Sequence, residues 1–311
     1  MFLLKKSLDS TIIQDVALEL GIDPAFIEKD WYAVQLLVLI SELQSSKDVK
    51  ISFSGGTSLS KGYGLIKRFS EDLDFILTVP DGKSLSGGQR RAFRKEVVSA
   101  IQSDKRFAID EDNILRGDSQ RFFKIPIQYN RAFEGSFLRP HLQLEMTFME
   151  LKRPTLNRSI HSIVSDIYQG EPELKIDCVS AIETAGDKLS ALTWRILIRD
   201  RASEKDDPTM IRHLHDLAAL EAVIKDAESN FVVSAQESLQ HDQERRGGEL
   251  IAEMPISDRL AKALNVLKED PLYQKEYEQF VESMSYALEA ERIGFDDAVL
   301  ALERIIGIYN Q

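Results

Sequence analysis

Apolar residues recur at helical spacing at the start of the chain, and the pattern switches to strand-like alternation near residue 49. Residues 11–20 read as a short helix stopped by Gly21. Asp23 then caps a second helix with Pro24 at its first position. That helix carries Trp31, Val34, Leu37 and Val38 and runs to about Leu43. Residues 49–54 predict a strand, 57–62 one or two helical turns and 73–79 a second strand. A Gly/Ser/Pro-rich loop at 80–88 leads into a basic helix over 89–102. Strand-like runs follow at 107–109, 119–129, 138–148 and 160–163. Between His141 and Phe148 the alternation puts Gln143, Glu145 and Thr147 on one face.

After Pro172 the pattern reads as helical almost throughout: 179–199, 210–224, 234–243, 258–267, 272–291 and 295–309. Strands with helices first and helices alone afterwards predict an α+β domain over about 1–175 and a helical domain over 176–311.

The densest chemistry lies in Ile51–Leu77, ISFSGGTSLSKGYGLIKRFSEDLDFIL. A strand ends in Gly55-Gly56-Thr57-Ser58, where paired glycines let the backbone turn and approach an anion. The amides of Thr57 and Ser58 at the start of the next helix are then expected to face phosphates. The hydroxyls of Thr57, Ser58 and Ser60 add donors, and Lys61 adds charge. The segment is not a Walker A loop, since no Gly-Lys-Ser/Thr closes it, and it lacks G-x-G-x-x-G.

Asp72 and Asp74 sit two residues apart on the predicted strand, so both side chains point the same way, roughly 6–7 Å apart. Two such charges repel by about 1–4 kcal/mol in a watery or surface-like dielectric, a cost that a divalent cation removes. Mg²⁺ takes one or two carboxylates plus substrate phosphates, which this pattern offers. With two ions, one activates the attacking oxygen and the other holds the triphosphate. Glu145 is the candidate third carboxylate. Arg68 is a candidate partner for the triphosphate or for Glu71. On its own, D-x-D is better explained by an exposed edge strand with solvated acids, and the upstream glycine turn reverses that balance in favour of the metal.

Charge distribution refines the picture. The net charge of -12 argues against nucleic acid at first sight. From Asp216 onward, however, 20 acidic residues face 9 basic ones, whereas Lys61–Arg106 holds 10 basic and 6 acidic residues. The excess negative charge therefore lies away from the glycine turn and D-x-D. Arg90, Arg91, Arg94 and Lys95 form a candidate phosphate-backbone patch. Cys178 is the only cysteine, which excludes an internal disulfide and a thiolate zinc cluster. No apolar run is long enough to span a bilayer, and MFLLKKSLDS lacks the long apolar region of a signal peptide. These features together lead to the expectation of a cytoplasmic protein.

The glycine turn followed by a hydrophobic-D-h-D-h strand resembles the DNA polymerase β-like nucleotidyltransferase superfamily. More closely, GGTSLSKGYGLIKRFSEDLDF is similar to the AbiEii/AbiGii-type toxin family, which includes the MenT toxins, and Glu28-Lys29-Asp30-Trp31 resembles its E-K-D-aromatic segment. The resemblance is tight over about 26–77 and looser from there to about 220. It implies a mixed central sheet followed by a helical domain. It also implies two further catalytic residues, Lys188 in AGDKLSAL as a charge clamp and Asp216 in RHLHDL, which orients that lysine or acts as a base. The function it implies is transfer of NMP from an NTP to an RNA acceptor, the tRNA 3′ end, with Mg²⁺ or Mn²⁺. A protein antitoxin would be the partner, and Ser70 would be a phosphorylation site that silences the enzyme.

Two other readings stay open. The chain may be read as a non-catalytic nucleotide- or partner-binding module derived from such an enzyme. His213, His215 and Asp216 also echo an HD phosphohydrolase, although His141, His161 and His241 do not complete that pattern.

Overall fold

The computed structural model describes residues 8–43, 49–80, 83–135, 138–246, 251 and 253–311. The N-terminal segment MFLLKKSLDS lies mostly outside them, as do two residues of the 80–88 loop. The chain forms two compact units. One comprises Met1–Gly64 with Phe69–Val179, and the other comprises Leu65–Arg68 with Ser180–Gln311.

The first unit is α+β. Helix α1 (Ser10–Leu20) starts at Asp9, whose carboxylate accepts from Thr11 N, and ends at Gly21 in the left-handed conformation. Asp23 caps α2 (Pro24–Glu42) in the same way, with Pro24 in the first turn. Strand β1 (Lys50–Ser54) runs directly into the short α3 (Gly55–Lys61), and β2 (Asp72–Thr78) follows. Next come α4 (Gly87–Ser103), β3 (Phe107–Ile109), β4 (Leu115–Gly117), β5 (Phe122–Tyr129), β6 (Leu142–Phe148) and β7 (Leu156–Ile160). Helix α5 (Ile163–Ile167) and β8 (Leu174–Cys178) complete the unit.

The sheet order is β3-β5-β6-β2-β1-β8-β7, with β4 paired to β5. It is mixed: β2 runs parallel to β6 and β1 parallel to β8, and the remaining pairs are antiparallel. Alternate strand residues such as Ile51, Phe53, Leu73, Phe75, Ile125 and Leu144 join Trp31, Val34 and Leu37 of α2 and Phe93, Val97 and Ile101 of α4 in one core. Burying a side chain of this size is worth about 1.5–3 kcal/mol.

The run at 160–163 is not a strand: β7 ends at Ile160, and Ser162 caps α5 by accepting from Ser165 N. The chain is not purely helical after Pro172, because Leu174–Cys178 enters the sheet beside β1.

The second unit is helical, built from α6 (Ala181–Ile198), α7 (Arg212–Asp226), α8 (Glu228–Arg246), α9 (Ile256–Glu269), α10 (Pro271–Met284) and α11 (Phe295–Tyr309). Gly186 lets α6 and α8 approach closely, since a β-carbon there would lie 2.8 Å from Ala235 N. The sequence pattern extended α10 to Glu291. The helix instead stops at Met284, and Ser285 forms an isolated bridge with Arg68. The charge-rich segment after α6 is folded around Arg199, whose guanidinium meets Asp206 (2.8 Å) and Glu276 (2.7 Å).

Candidate active site

In β2, Leu73, Phe75 and Leu77 fill the core, so Asp72 and Asp74 project from the opposite, less buried face. The parallel neighbour β6 places Gln143 level with Asp72 and Glu145 level with Asp74. Lys124 of β5 is level with Glu145, and its Nζ lies 2.6 Å from Glu145 Oε1. Three carboxylates thus share one face of two adjacent strands.

The glycine turn meets this face through strand register. Antiparallel pairing sets Ser54 opposite Asp74, so the turn begins beside that carboxylate. Gly55 has φ +72°, and a β-carbon there would lie 2.0 Å from Asp74 Oδ2. Only glycine allows both the backbone angle and the approach. The turn is also tied to β2 by Thr57, whose hydroxyl donates to the Asp72 carbonyl oxygen.

Several residues expected to face a nucleotide have partners within this unit. Besides Thr57, the Ser60 hydroxyl donates to Thr57 O (3.1 Å), and Ser58 is buried. Lys61 Nζ lies 2.5 Å from Asp30 Oδ1 and donates to His161 O at 3.1 Å.

The Glu28-Lys29-Asp30 segment is the main structural element whose role the sequence did not disclose. All three side chains are buried in α2, and each reaches a different segment. Glu28 accepts from the amides of Ala132 (2.7 Å) and Phe133 (3.1 Å). Burial pushes its carboxyl pKa up against the pull of those amides. Lys29 pairs with Glu71 and donates to Arg139 O at 2.9 Å. Burial lowers the pKa of this ammonium, and Glu71 opposes the shift. Asp30 holds Lys61 and also accepts from Ile163 N at 2.7 Å. One stretch of helix therefore ties down the end of α3, the start of β2, the β5–β6 connection and the start of α5. The signal in the sequence was three adjacent charges in an otherwise apolar helix.

Arg139 completes this network. Its backbone N–H donates to Glu71 Oε1 at 2.7 Å, and its Nη2 donates to Asp72 Oδ1 at 2.7 Å. The alternative partner expected for Arg68, Glu71, is thus held by Lys29 and Arg139.

Arg68 belongs to the second unit, where it grips Asp216 with two bonds, Nε–Oδ1 at 2.7 Å and Nη2–Oδ2 at 2.6 Å. Lys188 Nζ reaches the same Oδ2 at 2.5 Å. Asp216 is fully buried. Burial alone would raise its pKa, but Arg68 and Lys188 hold it well below the usual carboxylate range. Burial in turn lowers the pKa of the Lys188 ammonium against the pull of Asp216. The neighbouring imidazoles do not build a metal centre. His215 lies against Tyr277 and Phe280, and His213 is held neutral by burial and by the nearby charges of Lys188 and Arg212. Among the described residues no group of three or more His, Cys, Asp or Glu gathers to hold an ion by itself.

The donor set nevertheless suits Mg²⁺. Asp72 and Asp74 offer hard oxygen ligands on one face, and Gly55 leaves room at Asp74 that a β-carbon would fill. An ion held by two carboxylates and completed by substrate phosphates needs no third protein cluster.

A strand-to-helix glycine turn closed onto paired strand carboxylates in a mixed sheet defines a nucleotidyltransferase. A family model described as the nucleotidyl transferase AbiEii toxin of a type IV toxin–antitoxin system matches residues 38–301, and the chain belongs to that family. Among solved structures, the nucleotidyltransferase toxin MenT4 from Mycobacterium tuberculosis H37Rv aligns with a TM-score of 0.53 at 20% identity, over 95% of this chain and 99% of that one. The non-canonical poly(A) polymerase complex GLD-2–GLD-3 aligns with a TM-score of 0.30 at 11% identity, over 97% and 93% of the two chains. No curated protein matches the chain. Among the described residues, no helix is long and apolar enough to cross a membrane.

Proposed function

We propose that this toxin transfers a nucleoside monophosphate from an NTP to a hydroxyl of an RNA acceptor, the 3′ end of tRNA, with Mg²⁺ or Mn²⁺. The observation that carries the proposal is the contact between Gly55 and the Asp74 carboxylate. It puts the backbone of an anion-approaching turn against the ligand of a cation, which is what a metal–triphosphate needs.

In this reading Asp72 and Asp74 hold the metal, and Glu145 beside Asp74 adds negative charge to the same face. The turn from Gly55 to Ser58 receives the phosphates through its backbone. Metal held by Asp72 and Asp74 would supply Lewis acidity toward the phosphoryl oxygens and the attacking hydroxyl, as in a two-metal displacement. Lys61 supports the turn through Asp30. In the second unit, Lys188 is assigned the role of phosphate clamp, oriented by Asp216. Arg68 acts by fixing Asp216 with two bonds.

Acceptor binding is assigned to α4, where Arg91 and Lys95 are exposed and Arg90 is half-buried. Arg94 is buried and donates to Gln120, so its part is to fix the patch. Family membership brings an antitoxin. Ser70 is the site proposed for its regulatory phosphorylation: the residue is half-buried next to Glu71, and a phosphate there would add charge beside Asp72.

The test is incubation of the protein with labelled NTPs, Mg²⁺ and total RNA. Label should enter RNA with the wild type and not with Asp74→Ala. No transfer from any NTP to any acceptor would leave the non-catalytic module as the reading.

A further inference from the structure

Asp72 already carries a cation, and that cation belongs to the protein. Arg139 Nη2 donates to Asp72 Oδ1 at 2.7 Å, whereas Arg139 Nε reaches Glu71 Oε2 at a longer 3.3 Å. The guanidinium is therefore split between two acids, with its better bond on the proposed metal ligand. We propose that Arg139 is a built-in counter-cation of the metal site, neutralising Asp72 before an ion arrives and yielding Oδ1 to that ion. This inference rests on the reading of Asp72 as a metal ligand.

Three features favour a side chain that yields over a fixed strut. The backbone of Arg139 is anchored independently, its N–H on Glu71 and its carbonyl on Lys29 Nζ. The guanidinium can thus move without disturbing the loop. Its side chain is 38% exposed against 26% for Asp72 and 13% for Glu71, so the route outward leads to solvent. Releasing it does not strand Glu71, which keeps its ion pair with Lys29. A buried acid that loses its only cation is costly, and this arrangement avoids that cost.

The electrostatic logic is direct. Asp72, Asp74 and Glu145 crowd one face, and Lys124 already balances Glu145. Like charges on one strand face repel, and Arg139 offsets that of Asp72. A guanidinium and a divalent ion at one oxygen repel each other in turn, so Arg139 weakens metal binding in the absence of nucleotide. The triphosphate tips the balance, because its oxygens attract both the ion and the released guanidinium.

The experiment is Mn²⁺ binding to the full chain without nucleotide, read from the electron paramagnetic resonance of free Mn²⁺. Arg139→Gln is expected to bind Mn²⁺ about tenfold more tightly than the wild type, the scale on which an adjacent arginine shifts an aspartate. Arg139→Lys keeps the charge but not the fork, and is expected to fall between the two. It carries the test if the glutamine variant does not fold. With EDTA present Arg139→Gln should melt at a lower temperature than wild type, and Mn²⁺ should reverse the loss. Unchanged or weaker Mn²⁺ affinity in both variants, with binding still abolished by Asp72→Asn, overturns the counter-cation role and leaves the metal site standing. Wild-type affinity in Asp72→Asn overturns the metal site and this inference together.

Discussion

Lys61 Nζ lies 2.5 Å from Asp30 Oδ1, and both side chains are almost wholly buried. The lysine of the glycine-turn segment is thereby committed to holding α3 against α2, and its positive charge is already matched. Removing one partner leaves an uncompensated buried charge, which typically costs about 3–5 kcal/mol. Asp30→Ala should therefore lower the urea-unfolding free energy by roughly that amount. Lys61→Met should act mainly on stability, with little change in the KM for NTP once the folded fraction is accounted for. An apolar pair, Asp30→Leu with Lys61→Met, should be milder than Asp30→Ala alone. A large KM increase in Lys61→Met at unchanged stability would return the lysine to the triphosphate.

Gly55 and Gly64 provide an internal comparison. Both have positive φ, +72° and +64°, but a β-carbon at Gly64 meets nothing within 4 Å. Alanine at either position should cost roughly 1–2 kcal/mol for the left-handed backbone. Gly55→Ala adds a collision with Asp74, so it alone should abolish nucleotide transfer and weaken Mn²⁺ binding. Equal activity loss in the two variants would show that backbone strain, not contact with the carboxylate, explains the requirement for glycine.

Strand β2 was legible in the sequence because it alternates cleanly between core and face, and β1 because Ile51 and Phe53 alternate with polar residues along KISFS. Strand β8 was not, because Leu174–Cys178 is five residues long and directly precedes a strongly helical run. The end of α10 was hidden for a different reason. Apolar residues continue through Tyr286 and Leu288, but the chain turns where Ser285 bridges Arg68, a partner far away in sequence. Distance in the chain also concealed the work of Glu28, Lys29 and Asp30. Glu28 meets Ala132 across 104 residues, Lys29 meets Glu71 across 42, and Asp30 meets Ile163 across 133. Local spacing identifies D-x-D and the glycine turn, while the ion pairs supporting them exist only once the fold has formed.

The α4 patch separates contact residues from supporting ones. Arg91 and Lys95 are exposed, whereas Arg94 is buried, with its pKa lowered first by burial and then by the charges of Arg116 and Arg91. The double variant Arg91→Ala with Lys95→Ala should flatten the dependence of RNA affinity on salt by roughly one to two units in the log–log slope. Arg94→Ala should instead lower the melting temperature. An unchanged slope in the double variant would move acceptor binding away from this helix.

Asp216 makes acid stability a readout of the second unit. Its folded-state pKa lies well below the usual aspartate range, because Arg68 and Lys188 overcome the effect of burial. A depressed carboxylate stabilises the fold fully above its unfolded pKa. That contribution shrinks as pH falls below about 3.8 and is gone once the pH passes the folded-state value. Unfolding free energy should thus be flat from pH 7 to 5 so far as Asp216 contributes, and should fall steeply with further acidification. Asp216→Asn removes the carboxylate shared by the buried Arg68 and Lys188, so it should be about 3–5 kcal/mol less stable at pH 7. Its stability should also depend less on pH below 4 than that of the wild type. The measurement is urea unfolding of both proteins from pH 7 to pH 2.5. Parallel pH profiles would show that Asp216 does not carry the acid-sensitive charge, and that the Arg68–Asp216–Lys188 cluster is less tightly coupled than its distances indicate.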